Sequence, residues 1–475
     1  MSCEIWSNTF VLFDASLVKA RTMLTVFGNS RDSVTRRSFV QAGLLGVGGL
    51  TLSDYLSIRS AMAGESPTKS NNGKSVILFW MSGGPGHMET WDPKPEAVDQ
   101  YRGPFGAIST VVAGTQFGEL LPEQAKIADK VSIVRSVCHK SGDHTKGNHW
   151  MLTGYEGPAF NAPDNRVQKR PAMGSVISRL CGSNSRGMPA YVGVPHLRGG
   201  TDNLFHYATY LGGGHDPFVV NSDPNKSDYK VQNLSLQGGL TLDRLEHRRG
   251  LLSAIDLHRA TAEQNAVDMN SHQQNAFELL TSSRVRDAFD ISQEDETLRD
   301  KYGRHTFGQS ALLARRLVES GVSFVTVNCE PWDHHGTANR FKTAEGANKL
   351  IPPFDIALAA LVRDLEDRGL SEQTLVVAMG EFGRTPRMNS AAGRDHWGHT
   401  FSVLFAGGGM KMGQTIGSST PRGEYVADLP FDPQDITATV YHHMGLNAHQ
   451  TLENRAGRPI HLAERGTPIA QLISG

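Results

Sequence analysis

The last third of the chain alternates apolar strands with amphipathic helices, and this alternation restricts the fold more than any other feature. Residues 322–328 (VSFVTVN), 374–379 (TLVVAM) and 401–406 (FSVLFA) are nearly continuous apolar runs of strand length. Before the first run, Phe307, Ala311, Ala314 and Val318 recur at helical spacing, and Gly321 stops that helix. Between the first and second runs, Phe354, Ala357, Leu358, Leu361 and Leu365 form the apolar face of a helix. Its start is read at Pro352-Pro353 and its end at Gly369. Asp432-Pro433 opens a further helix through Tyr441. Strands this apolar need cover on both faces. The expected fold is therefore a three-layer αβα sandwich of the α/β class, with a mostly parallel central sheet.

Earlier in the chain, residues 75–81 (SVILFWM) read as a buried strand ending in the tight turn Ser82-Gly83-Gly84-Pro85-Gly86, and residues 131–134 as another short strand. Residues 155–240 are rich in Gly, Pro, Asn and Asp and read as long surface loops inserted in the same domain. Residues 244–278 look helical but polar.

The first 63 residues are set apart from the fold. Thr35-Arg36-Arg37-Ser38-Phe39-Val40 precedes a glycine-rich apolar run at 42–52 and the small-residue site Ala61-Met62-Ala63. A twin arginine, a short weakly apolar stretch and an A-x-A end read as a twin-arginine export signal, with Met23 as an alternative start. The expected partner is the twin-arginine export machinery and the expected location is periplasmic or secreted. That route suits a protein that folds around its metal before it crosses the membrane. The apolar run is too short to span a bilayer, and no later segment looks like an anchor, so no stable membrane anchor is expected after cleavage.

Composition narrows the partners. The 47 basic and 48 acidic residues nearly cancel and are interspersed, which argues against nucleic acid. Cys138, Cys181 and Cys329 follow the signal and match no zinc ribbon, and they allow at most one internal disulfide. The histidines are clustered rather than spread, which points to a metal site.

In open α/β sheets, ligands bind beyond the carboxyl ends of strands. Residues 75–81 lead to His87, Glu89, Thr90 and Asp92, and residues 322–328 lead to Trp332-Asp333-His334-His335-Gly336. Residues 374–379 lead to Gly380-Glu381-Phe382-Gly383-Arg384, and Arg394-Asp395-His396-Trp397-Gly398-His399 stands just before residue 401. Asp333 and His335 are two apart, so an extended segment puts both on one face and His334 on the other. A carboxylate with an imidazole suits zinc or manganese better than calcium, which wants more oxygen ligands. The plainer use is an N-cap Asp beside solvated histidines. Asp395 and His396 are adjacent, so either a turn brings both to one ion, or one ligates and the other orients it. His399 is able to replace either. Glu381 is either a metal ligand or the partner of Arg384 in a rim ion pair, and as a ligand it leaves Arg384 to grip an anionic oxygen.

The polar stretch Gly142-Asp143-His144-Thr145-Lys146-Gly147-Asn148-His149-Trp150 reads as a loop. It supplies a histidine ligand, places Lys146 on a substrate anion, or is simply solvated. His442 and His443 fall on the final helix and read as structural. Ser82 and Thr90 are the hydroxyl candidates for a nucleophile, although Ser82 also suits the turn and Thr90 suits packing. Attack by a metal-activated water needs neither.

The order of these loops resembles the alkaline phosphatase superfamily, and more closely its secreted, sulfatase-like branch. Gly83-Gly84-Pro85 with Asp92-Pro93-Lys94, Trp332-Asp333-His334-His335, Gly380-Glu381-Phe382-Gly383-Arg384-Thr385-Pro386 and Gly393-Arg394-Asp395-His396-Trp397 carry the resemblance. The chain departs from the superfamily in three places. Ser82 stands where the first strand usually ends in a metal-binding Asp. Glu381-Phe382-Gly383 replaces Asp-His-Gly and loses a histidine. Cys329-Glu330-Pro331 begins like the sulfatase nucleophile motif Cys-x-Pro-x-Arg, but Asp333 occupies the arginine position.

The resemblance implies an alkaline-phosphatase-like domain over residues 64–475 and a metal-dependent hydrolase of phosphate or sulfate esters. The ester is a small molecule or a polysaccharide. The expected metal ligands are Asp333, His335, Asp395 and His396, then Glu381 and His399. Ser82, Thr90, Arg384 and Lys146 are the expected catalytic groups. The rival reading is a binding or scaffold protein that kept the fold and lost the reaction, and the missing strand-end Asp and missing His favour it.

Overall fold

The computed structural model describes residues 73–158, 167–197, 205–231, 234, 281–329, 331–337 and 340–473. Backbone contacts divide the chain into Met1–Thr68 and Lys69–Gly475, and all that follows concerns the second unit. The export segment and the polar helix expected at 244–278 lie outside the described residues.

Eight strands form the central sheet: β1 (Ser75–Trp80), β2 (Val131–Val137), β3 (Tyr191–Pro195), β4 (Phe218–Val219), β5 (Phe324–Asn328), β6 (Thr374–Met379), β7 (Phe401–Gly407) and β8 (Gln414–Ile416). Their order across the sheet is β8-β2-β7-β6-β1-β5-β3-β4. β1 sits in the interior, parallel to β5 on one side and β6 on the other, with Val76 opposite Phe324 and Leu375. All pairings in this sheet are parallel except those of β7, which runs antiparallel to both β6 and β2. β2 therefore points the same way as β1, β5 and β6. The start of β7 lies at the rim where those four strands end.

Among the described residues, five helices of eight or more residues lie on the two faces: α1 (His144–Thr153), α2 (Met173–Leu180), α3 (Thr306–Glu319), α4 (Thr343–Asp367) and α5 (Pro433–His443). Strand alternation sorts the core into two layers. Ile77 and Phe79 pack with Leu312, Leu313 and Leu317 of α3 and with Phe354, Leu358 and Leu361 of α4. Val76, Leu78 and Trp80 face the other way, towards Met151 and Leu152 of α1, Val176 and Ile177 of α2, and Val440 and Tyr441 of α5. This is the three-layer α/β sandwich expected from the sequence.

The structure differs from the sequence reading in two elements. Helix α4 starts at Thr343, not at Pro352, and both prolines lie inside it. Glu345 sets the true start by accepting the Lys342 N–H at 3.2 Å. Leu350, Ile351 and Phe354 are buried around the prolines, so packing outweighs their helix-breaking cost. The stretch at 155–240 is not only surface loop. It contributes α2, β3 and β4, and all five β3 residues are buried. Gly193 and Pro195 within β3 disguise it as a loop.

Cys138, Cys181 and Cys329 are free thiols. Among the described residues, no helix is long and apolar enough to cross a membrane.

Candidate metal centre

Five segments meet above the rim where β1, β2, β5 and β6 end and β7 begins. The turn after β1 is tight. Gly83 and Gly84 have φ of 98° and 82°. A Cβ on Gly83 would lie 2.8 Å from the Asp333 backbone nitrogen, and one on Gly84 would lie 2.6 Å from the Phe382 carbonyl oxygen. These contacts bring the turn against the loops after β5 and β6. Arg384, buried and extended across the rim, ties them together. Its Nε donates to the Gly84 carbonyl (2.9 Å), Nη1 to the Arg394 carbonyl (3.1 Å), and Nη2 to the carbonyls of Gly83 and Trp332 and to Asp333 Oδ1 (2.7 Å).

Asp333 is buried, and one of its oxygens is the focus of the cluster. His335 Nε2 lies 2.7 Å from Asp333 Oδ1, His396 Nε2 3.1 Å and His144 Nε2 3.8 Å. His335 Nε2 and His396 Nε2 are 2.9 Å apart. One ligand atom each from His144, Asp333 and His396 lies within 4.8 Å of the others. His335 adds a fourth donor through the same oxygen.

The second nitrogen of each imidazole is also fixed. His335 Nδ1 lies 2.9 Å from Asp395 Oδ1, His396 Nδ1 2.8 Å from the Gly142 carbonyl, and His144 Nδ1 2.6 Å from Glu381 Oε1. All three partners are acceptors, so Nδ1 carries a proton and donates, which leaves Nε2 as the atom turned inward towards Asp333. A histidine that donates one N–H to a carboxylate or carbonyl and points its other nitrogen at a shared centre has the arrangement of a metal ligand. Three such imidazoles and one carboxylate suit zinc or manganese.

The electrostatics agree with the geometry. Burial alone would raise the Asp333 carboxyl, but hydrogen bonds from His144, His335 and His396 hold it well below the carboxylate range. Burial alone would lower His144, yet Asp333 and Glu381 push it up to about 10. Asp333 also raises His335 against burial, while burial lowers His396 despite Asp333. Without an ion, His144 holds the proton that offsets these carboxylates, and a cation bound there displaces it.

The expected site residues sort as follows. Asp333, His335 and His396 come together with their nitrogens and oxygen inward. Extended geometry turns His334 the other way, buried beneath the rim with its ring 6.4 Å from Phe341. Asp395 and Glu381, both expected as ligands, instead face Nδ1 atoms. Glu381 is fully committed, because its two oxygens also accept the Gly83 N–H at 2.8 and 3.0 Å. His399 stands apart from the cluster and packs on Trp397 and Tyr425, with ring centroids 4.5 and 5.4 Å away. Lys146 pairs with Glu156. Arg384 is occupied by carbonyls and by the Asp333 carboxylate, so it braces the rim and is not free to grip a substrate anion. Thr90 Oγ1 donates to the Gly86 carbonyl at 2.8 Å, in keeping with a packing role. Ser82 is buried in the turn, and its carbonyl accepts the Trp332 N–H at 2.6 Å.

Sequence reasoning left two contributors undecided or unnamed. The stretch around His144 is a helix, α1, not a loop, with Asp143 capping it by accepting the Lys146 N–H at 3.1 Å. α1 follows β2, and only the parallel direction of β2 brings His144 to the rim. Arg340 was not singled out. It is half exposed, and its Nη2 lies 3.3 Å from Asp333 Oδ2.

Residues 73–473 match the model of a family described as "Protein of unknown function (DUF1501)". The chain belongs to this family. No curated protein matches it. Among solved structures, it is similar to Ps i-CgsB (12% identity, TM-score 0.38, covering 79% of this chain and 72% of that one). It is also similar to the PsFucS1 sulfatase from Pseudoalteromonas sp. (13%, 0.35, 78% and 68%). Alkaline phosphatase from the Antarctic bacterium TAB5 gives 11%, 0.34, 78% and 98%. At such TM-scores these likenesses say nothing of activity, and the chemistry must come from the rim itself.

Proposed function

We propose that this protein is an exported, cation-dependent hydrolase of phosphate or sulfate esters, with its active centre at Asp333, His144, His335 and His396. One observation carries the reading. Three imidazole Nε2 atoms converge on Asp333 Oδ1 while an acceptor holds each Nδ1. A divalent cation in such a centre supplies Lewis-acid polarisation of an ester oxygen and neutralises charge on it.

The chain's own residues do the rest. Asp333 supplies the anionic oxygen, and its burial makes that charge effective. Asp395, the Gly142 carbonyl and Glu381 lock the three rings so that no reorientation is needed on binding. Arg384 fixes the β1 turn to the Asp333 loop. Arg340, beside Asp333 and open to solvent, is the guanidinium placed to receive the ester's anionic oxygens. The export signal read at Arg36-Arg37 supports folding and metal uptake before transport.

The test is turnover of an aryl phosphate and an aryl sulfate by the intact protein and by Asp333→Ala. At least one substrate is hydrolysed by the intact protein, and the variant loses about 100-fold or more. Equal turnover by both proteins removes the hydrolase reading of this rim. Failure of the intact protein on both substrates favours a binding or scaffold role.

A further inference from the structure

Beside the cluster lies an open cleft of about 420 Å³, lined by Tyr101, Met388, Asn389, Asp395, Trp397 and Tyr425 together with their neighbours. Asp395 belongs to both places, since it lines the cleft and holds His335 Nδ1. A group seated in the cleft is therefore one side chain away from the proposed centre. The volume falls in the range of small-ligand sites.

The cleft wall is aromatic but not flat. Trp397 and Tyr425 have ring centroids 5.8 Å apart and planes inclined at 58°. His399 packs against both rings, with centroids 4.5 and 5.4 Å away. The rings are held in place. Trp397 Nε1 donates to the Glu424 carbonyl at 2.6 Å, and the Arg422 guanidinium lies 5.2 Å from the Tyr101 ring centre. Tyr425 is 51% exposed, a large apolar surface left to solvent beside a polar site. Around the rings stand residues of both charge signs, Arg387, Glu424 and Asp395, together with the hydroxyl residues Thr385 and Ser390. Parallel plates would sandwich a planar base. Inclined rings with mixed polar neighbours suit a puckered ring that offers C–H faces to the aromatics and hydroxyls to the rim.

We infer that this cleft is a carbohydrate subsite, in which a pyranose ring rests on Trp397 and Tyr425 and directs an ester substituent past Asp395 to the cluster. The assignment rests on the hydrolase reading for its ester, but sugar binding itself does not need the cation. The substrate class is then a sulfated or phosphorylated sugar.

The experiment measures binding of unesterified sugars to the full protein in the presence of chelator. The probes are methyl glycosides of glucose, galactose, mannose, fucose and N-acetylglucosamine, followed by tryptophan fluorescence and saturation-transfer NMR. At least one glycoside binds in the millimolar range. Tyr425→Ala weakens it about tenfold or more, whereas Tyr425→Phe, which keeps the ring, retains it. Because Tyr425 is half exposed, its loss leaves the fold intact, which near-ultraviolet circular dichroism checks. Absence of binding for every glycoside, or equal binding by wild type and Tyr425→Ala, overturns the subsite. Neither result bears on metal content, so failure of the cleft and failure of the centre remain separate.

Discussion

Buried histidines are common in this chain, and what distinguishes His144, His335 and His396 is the fate of both ring nitrogens. His206 is buried with Nε2 unpartnered, and His443 spends its nitrogens on the carbonyls of Gly408 and Ser75. The three rim histidines instead place one nitrogen on an acceptor and the other at Asp333. Glu381→Gln and Asp395→Asn, which weaken the Nδ1 partners while keeping shape, lower cation affinity about 10- to 100-fold in chelator competition. Unchanged affinity in both variants would return these carboxylates to plain rim pairing. At this scale much was legible in the sequence. The two-residue spacing of Asp333 and His335 showed that they share a face, while the adjacency of Asp395 and His396 left open whether a turn brings both to one ion or one orients the other. The sequence did not show which histidine Asp395 orients, because that partner, His335, comes from another strand's loop. Arg340 carried no signal at all, since an exposed arginine in a loop looks like any other.

At the scale of elements, the centre depends on strand direction. β7 is antiparallel to its neighbours, so Asp395 and His396, which precede it, reach the same rim as residues that follow β1, β2, β5 and β6. Apolar runs reveal strands but not their direction, which is why the segment at 144 reads as an isolated polar loop in sequence and as a helix that carries His144 to the rim in structure. Strand β3 was hidden for a related reason. Gly193 and Pro195 interrupt its pattern, and only burial between β5 and β4 explains it. The Gly83-Gly84 turn is the joint between elements, and it tolerates no side chain. Gly84→Ala forces a Cβ to 2.6 Å from the Phe382 carbonyl at a φ of 82°, and destabilises the protein by about 2–4 kcal/mol in denaturant unfolding. Gly457→Ala, also at positive φ but with nothing within 4 Å, costs about 1 kcal/mol. Equal effects of the two would show that the turn is not pressed against the neighbouring loop. Arg384→Lys loses the fork that joins Asp333 to the carbonyls of Gly83, Gly84, Trp332 and Arg394. It destabilises by about 3–5 kcal/mol, measured by the same method, because Asp333 is left buried without its guanidinium.

Across the whole molecule, two apolar layers enclose the sheet, and several neutral histidines are sealed within or against them. Burial pushes His206 down to about 3, and His149 and His443 down to about 4, from an ordinary value of 6.5. Their folded values lie below the unfolded one. Their contribution is therefore complete above 6.5 and is lost as pH falls and the unfolded chain takes up protons that the folded one refuses. Between about pH 7 and about pH 5 each such histidine costs roughly 2 kcal/mol of stability, so the denaturant midpoint falls, and His206→Leu narrows the difference by that amount. A midpoint independent of pH over this interval would contradict their neutral burial. The three-layer architecture itself was readable from the apolar runs and helix faces, because burial on both sides of a sheet leaves an unmistakable pattern. The gathering of donors from β2, β5 and the start of β7 was not readable, since it arises only when the sheet is assembled.

The most direct measurement is the metal content of the untagged protein and of Asp333→Ala and His144→Ala, by inductively coupled plasma mass spectrometry. The convergence of three imidazoles on one carboxylate predicts stoichiometric zinc or manganese in the intact protein and marked loss in both variants. Metal-free intact protein, or full retention of metal without Asp333, would contradict it.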